Sequence, residues 1–73
     1  MALYEVKAEM TGSVWKIVTA AGETVAPGDA IMILESMKME IPVIAEDGGT
    51  VQEILVEEGA SVSEGQVVAR LEA

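Results

Sequence analysis

Short stretches rich in apolar residues follow one another along this chain, separated at nearly regular intervals by glycine, proline and acidic residues. Val, Ile and Leu dominate the runs, and Gly12, Gly22, Pro27-Gly28, Gly48-Gly49, Gly59 and Gly65 separate them. This is the pattern of short strands joined by tight turns. It predicts strands over Leu3 to Glu9, Ser13 to Thr19, a brief piece around Val25, Ala30 to Ser36, Met39 to Ala45, Thr50 to Val56, a brief piece around Val62, and Gln66 to Glu72. The longest stretch free of glycine and proline, Asp29 to Ile41, is the one place where a helix competes. Its apolar run Ala30-Ile31-Met32-Ile33-Leu34 has no 3.6-residue period, so a strand covered on both faces is expected there. Pro42 has no N–H to donate and places the fifth run at a sheet edge or a bulge.

The pattern repeats. A shift of 37 positions superimposes Val6-Lys7-Ala8-Glu9 on Val43-Ile44-Ala45-Glu46, Gly12-Ser13-Val14 on Gly49-Thr50-Val51, and Ile17 on Ile54. It also carries Gly22, Val25, Gly28, Leu34 and Glu35 onto Gly59, Val62, Gly65, Leu71 and Glu72. Eleven of the thirty-six overlaid pairs are identical without a gap, and they fall on positions that set backbone shape. Eight short strands in two related halves imply an all-β sandwich or flattened barrel, one domain over residues 1–73, in which each half covers the other's apolar face. Trp15 matches Gln52 and is therefore expected half covered at a rim.

Composition narrows the chemistry. The 73 residues contain no cysteine and no histidine, which leaves no thiolate metal site, no disulfide and no imidazole base. Catalysis by the chain itself is not expected. Glu46-Asp47 and Glu57-Glu58 read as solvated loops, because a hard-cation site needs several converging oxygens. A net charge of −9 opposes nucleic acid and anionic lipid as partners and favours a protein with a basic surface. No apolar run approaches the roughly 20 residues that span a bilayer, and no leader precedes the first strand, so a soluble, cytoplasmic, monomeric protein is expected.

One short segment stands apart. Among only four cations, Lys7, Lys16, Lys38 and Arg70, Lys38 alone sits where the two halves meet, inside Glu35-Ser36-Met37-Lys38-Met39-Glu40. If Met37 and Lys38 form a two-residue hairpin loop, Ser36 faces Met39, Glu35 faces Glu40 and Leu34 faces Ile41. Two glutamates then oppose each other, and two non-glycine residues take positive φ. Local rules tend to be broken at functional sites. An exposed tip lysine with no neighbouring base is suited to be an attachment point, while Met37, Met39, Glu35 and Glu40 offer polarizable and acidic contacts to a modifying enzyme.

Glu35-Ser36-Met37-Lys38-Met39, together with Gly22-x-x-Val25-x-x-Gly28 and its repeat Gly59-x-x-Val62-x-x-Gly65, resembles the biotinyl/lipoyl attachment domains over nearly the whole chain. The short stand-alone biotin/lipoyl attachment proteins are the most similar subgroup. The resemblance implies two four-stranded antiparallel sheets with a pseudo-twofold, and biotin joined to Lys38 by a biotin protein ligase. It further implies a carrier, not an enzyme, that moves a carboxyl group from biotin carboxylase to a carboxyltransferase acting on an acyl-CoA. The gapless repeat implies that the protruding thumb of some family members is missing, and no Pro/Ala-rich linker precedes the domain, as in a stand-alone protein or an excised domain. Lipoate is the alternative cofactor, although lipoyl domains usually carry Asp-Lys-Ala at the hairpin. Attachment of both, or an unmodified structural interaction module on the same fold, are the remaining readings. A phosphopantetheine carrier would need a serine at a helix start, which Ser36 does not provide.

Overall fold

The computed structural model describes residues 2–73, and every regular element in it is a strand. In chain order these are β1 (Leu3–Lys7), β2 (Gly12–Ile17), β3 (Thr24–Val25), β4 (Asp29–Ser36), β5 (Met39–Ala45), β6 (Gly49–Ile54), β7 (Ser61–Val62) and β8 (Val67–Glu72). They form two antiparallel sheets, β1-β8-β6-β3 and β5-β4-β2-β7. Moving each strand of the first sheet by half the set converts its order into that of the second. Each sheet thus takes two strands from each half of the chain, so neither half can close a sheet alone. The link from β2 to β3 and its counterpart from β6 to β7 are equally long, and neither half carries an inserted thumb.

One core lies between the sheets. It holds Val6, Val14, Val25, Ile31, Met32, Leu34 and Val43 together with Val51, Val62, Val68 and Leu71, and no polar or charged side chain is buried among the described residues. The apolar run of β4 enters this core differently from the expectation. Ile33 is only half-buried, so β4 is not covered on both faces. Instead the pairing with β5 steps from Ala30↔Ile44 to Met32↔Val43, and this bulge turns both Ile31 and Met32 into the core. The mate strand β8 does the same: its register with β1 steps from Val6↔Ala69 to Lys7↔Val67, and Val68 and Ala69 are both buried. A bulge, not a second covering layer, broke the period of two.

Trp15 is 48% exposed, half covered as expected. Strand β7 pairs with β2 only at Gly12 and Ser13, so Trp15 lies where β2 has no strand on its outer side, at a rim of the sheet. The β2–β4 register skips it, from Val14↔Leu34 to Lys16↔Ile33, and the β6–β8 register skips its mate Gln52 in the same way. Pro42 lies on the edge strand β5 opposite Ile33. Counting back from the turn, alternate pairs exchange hydrogen bonds, and Pro42 falls on a pair that does not. Its missing N–H removes nothing from the ladder.

At the end opposite the β4–β5 turn, Ala2 and Ala73 exchange two backbone hydrogen bonds of 3.0 Å. Tyr4 closes this end, its hydroxyl donating to the Gly48 carbonyl at 2.6 Å. Burial raises the Tyr4 pKa above 10.0, and the carboxylates of Asp47 and Glu46 push the same way. The neutral phenol is therefore favoured in the fold; its contribution is complete below the unfolded value and lost as pH rises through the higher folded one. Tyr4→Phe is expected to cost about 1 kcal/mol at pH 7, with the difference from the parent shrinking at pH 11. Denaturant melts at the two pH values check this.

Candidate attachment site on the β4–β5 hairpin

Strands β4 and β5 pair without interruption from Ile33↔Pro42 through Leu34↔Ile41 and Glu35↔Glu40 to Ser36↔Met39. Met37 and Lys38 are left as the two-residue turn, with φ of 51° and 66°. Both lie in the left-handed region that a tight hairpin of matching twist demands. For side-chain-bearing residues this costs roughly 1–2 kcal/mol each. Glu35 and Glu40 face each other directly with no cation paired to either among the described residues, which adds a few tenths of a kcal/mol.

The base of the hairpin offsets these costs. Leu34 is buried in the core beneath it. The Ser36 hydroxyl donates to the Thr11 carbonyl at 3.0 Å, and the Thr11 hydroxyl accepts from the Glu64 backbone N–H at 3.2 Å. Gly12 lies so close to β4 that an added Cβ would stand 2.6 Å from the Glu35 carbonyl oxygen and 3.2 Å from Ser36 Cβ. The link between β1 and β2 therefore clamps the hairpin where it leaves the sandwich. Sequence reasoning placed Lys38, Met37, Met39, Glu35 and Glu40 on one tip but missed Thr11, Gly12 and the anchoring role of Ser36. Only the repetition of Gly12 as Gly49 hinted at a close approach there.

Beyond the clamp the tip is bare. Met37 is 92% exposed and Met39 62% exposed, while Met32 in the same strand pair is fully buried. The Lys38 side chain is exposed, and no hydrogen bond or ion pair holds its ammonium among the described residues. The other end of the cation scale is Arg70, fixed by Glu53 at 2.9 Å and Glu5 at 3.9 Å. A primary amine so placed can accept an acyl group without losing a structural contact. Among the described residues, no three His, Cys, Asp or Glu side chains converge as a metal site would require.

Comparison with known proteins gives this geometry its context. A family model described as biotin-requiring enzyme, of the biotin/lipoyl family, matches residues 4–71. The chain belongs to this family. The biotin/lipoyl attachment protein of Bacillus subtilis is 44% identical over 66 residues, which is 90% of each chain. The biotin-dependent acyl-coenzyme A carboxylase alpha3 subunit of Mycobacterium leprae is 42% identical over 66 residues, which is 90% of this chain but 11% of that subunit. Among solved structures, the urea carboxylase of Kluyveromyces lactis superimposes with a TM-score of 0.92 at 38% identity, covering 99% of this chain and 6% of that one. The biotin/lipoyl fold thus occurs both as a protein of about this size and as a small part of large carboxylases.

Proposed function

We propose that this member of the biotin/lipoyl family is a biotin carboxyl carrier, with biotin joined by an amide to Nζ of Lys38. The observation that carries the reading is a free primary amine on a strained, exposed turn, with solvent-facing methionines, Met37 and Met39, on either side of Lys38. A biotin protein ligase is the modifying partner. Met37 and Met39 supply it with unbranched, polarizable contact surface, and Glu35 and Glu40 supply charge for basic groups. Biotin, once attached, supplies a ureido nitrogen that takes up and gives up a carboxyl group.

The chain's own contribution is placement. Clamped by Thr11 and Gly12, the tip holds the Lys38 Cα fixed while the long side chain sweeps a small volume. Tethering of this kind gives effective concentrations in the millimolar range at any active site that can receive the tip. The partners in this reading are a biotin carboxylase and an acyl-CoA carboxyltransferase, both docking near the same end. Incubation of biotinylated carrier with a biotin carboxylase, ATP and radiolabelled bicarbonate should place label on the protein, and label that appears equally without biotin would refute the carrier role.

The strained turn makes a separate prediction. Met37→Asn supplies a residue that tolerates positive φ and should raise stability by about 1 kcal/mol. Its rate of biotinylation by a fixed amount of ligase should fall, because one methionine contact is lost. Thermal melts and timed mass spectra read the two effects independently.

A further inference from the structure

Two grooves lie end to end along the seam where the edge strands β1 and β5 of the two sheets face each other. The one farther from the hairpin, about 250 Å³, is lined by Tyr4, Glu5, Val6, Ala8 and Asp47 among others. The hairpin-side groove, about 200 Å³, is lined by Met10, Leu34, Ile41, Pro42 and Val43. Lys7, Glu9, Ile44 and Glu46 line both. The grooves are mates under the 37-residue shift, so each is a control for the other. Where the far groove has Tyr4, Glu5 and Asp47, the hairpin-side groove has Ile41, Pro42 and Met10. Three polar or acidic positions are apolar only on the side that faces Lys38.

We propose that the hairpin-side groove is a resting site for the bicyclic head of biotin carried on Lys38; this rests on the attachment proposed above. Reach permits it. The lysine side chain and the biotin valeryl chain together span about 14 Å when extended, and Ile41 and Pro42 lie roughly 10–14 Å down β5 from Lys38. Chemistry matches too. The sulfur ring is apolar and lies on Met10, Leu34, Ile41 and Pro42. The ureido group has two N–H donors and one carbonyl acceptor, and the groove presents the Glu9 carboxylate to accept and the Lys7 ammonium to donate. A lipoyl head carries no ureido group and would use only the apolar floor.

The site is weak by design of its geometry: it is open, and a tethered head needs only a millimolar dissociation constant to be bound about half the time. Such a site would keep the head off solvent between visits to partners without holding it back.

Biocytin, the free biotinyl-lysine, tests the groove in the absence of any ligase. Titrated to about 10 mM onto unmodified, methyl-labelled protein, it should shift the methyl resonances of Met10, Leu34, Ile41 and Val43 saturably and leave Val6 and Leu71 unmoved. No saturable shift, or equal shifts in both grooves, would overturn the proposal. In the biotinylated protein the same methyls should differ from those of the unmodified chain. The double variant Ile41→Tyr, Pro42→Glu, which imports the far groove's residues, should abolish that difference while the mass still shows modification. Differences confined to residues 36–39, or unchanged by the double variant, would also overturn it. A failed attachment reads out in the mass and a failed groove in the biocytin titration, so the two are distinguishable.

Discussion

Lys38→Ala and Lys38→Arg are each expected to take up no biotin at all, even after prolonged exposure to ligase, ATP and biotin. The remaining lysines, Lys7 and Lys16, lie on or beside the body of the sandwich and lack the left-handed turn and the flanking methionines. The arginine variant is the sharper of the two, since it keeps the charge and length at the tip while removing the acylable amine. Stability should move by no more than about 0.5 kcal/mol in either variant, because the Lys38 side chain has no contact to lose. Lys38→Gly, which relieves the positive φ, should add about 1 kcal/mol. Mass spectra of the treated variants and their thermal melts check both halves of this expectation. Modification persisting at another lysine would sink the assignment.

The second large effect separates folding from presentation. Gly12 and Gly49 are mates, and each approaches the carbonyl of a mated glutamate, Glu35 and Glu72. Gly49 also has a φ of 112°, which a side-chain-bearing residue rarely adopts. Gly49→Ala drives a Cβ into backbone at the end far from the tip and is expected to cost at least about 3 kcal/mol, the sum of steric overpacking and backbone strain. Gly12→Ala lacks the φ penalty and should cost about 1–3 kcal/mol, but it pushes against the Glu35 carbonyl and Ser36 at the foot of the hairpin. At a temperature where both variants are folded, Gly12→Ala should slow biotinylation several-fold while Gly49→Ala leaves it near the parent rate. Denaturant melts give the stabilities, and single-time-course mass spectra give the rates. Equal slowing in both would show that the clamp has no role in presenting Lys38.

The duplicated glycines and the Val, Ile and Leu runs made the two-sheet fold legible, because a residue that alone permits a turn or a close approach constrains backbone shape directly. The exposed two-residue turn was legible for a related reason: Ser36 and Met39 close a hairpin that leaves Met37 and Lys38 at positions favouring asparagine and glycine. The bulges were not legible. Ile31-Met32 and Val68-Ala69 put consecutive residues into the core through a register shift against β5 and β1, and register belongs to a pair of strands, not to either one. The clamp from Thr11 and Gly12 joins residues more than twenty positions from Ser36, and a serine–carbonyl bond leaves no mark on local pattern. The asymmetry of the two grooves was present in the overlay of Ile41 on Tyr4 and Pro42 on Glu5, but it acquires meaning only once β1 and β5 are known to face each other.

The proposed carrier function requires that Lys38 be the amine that carries biotin. Its most direct test is the intact mass of the protein purified from cells with active biotin and lipoate ligases and both cofactors supplied, followed by peptide sequencing across residues 34–41. One biotinyl group located on Lys38 is the expected result. A lipoyl group there, biotin on any other residue, or an unmodified chain from such cells would contradict it.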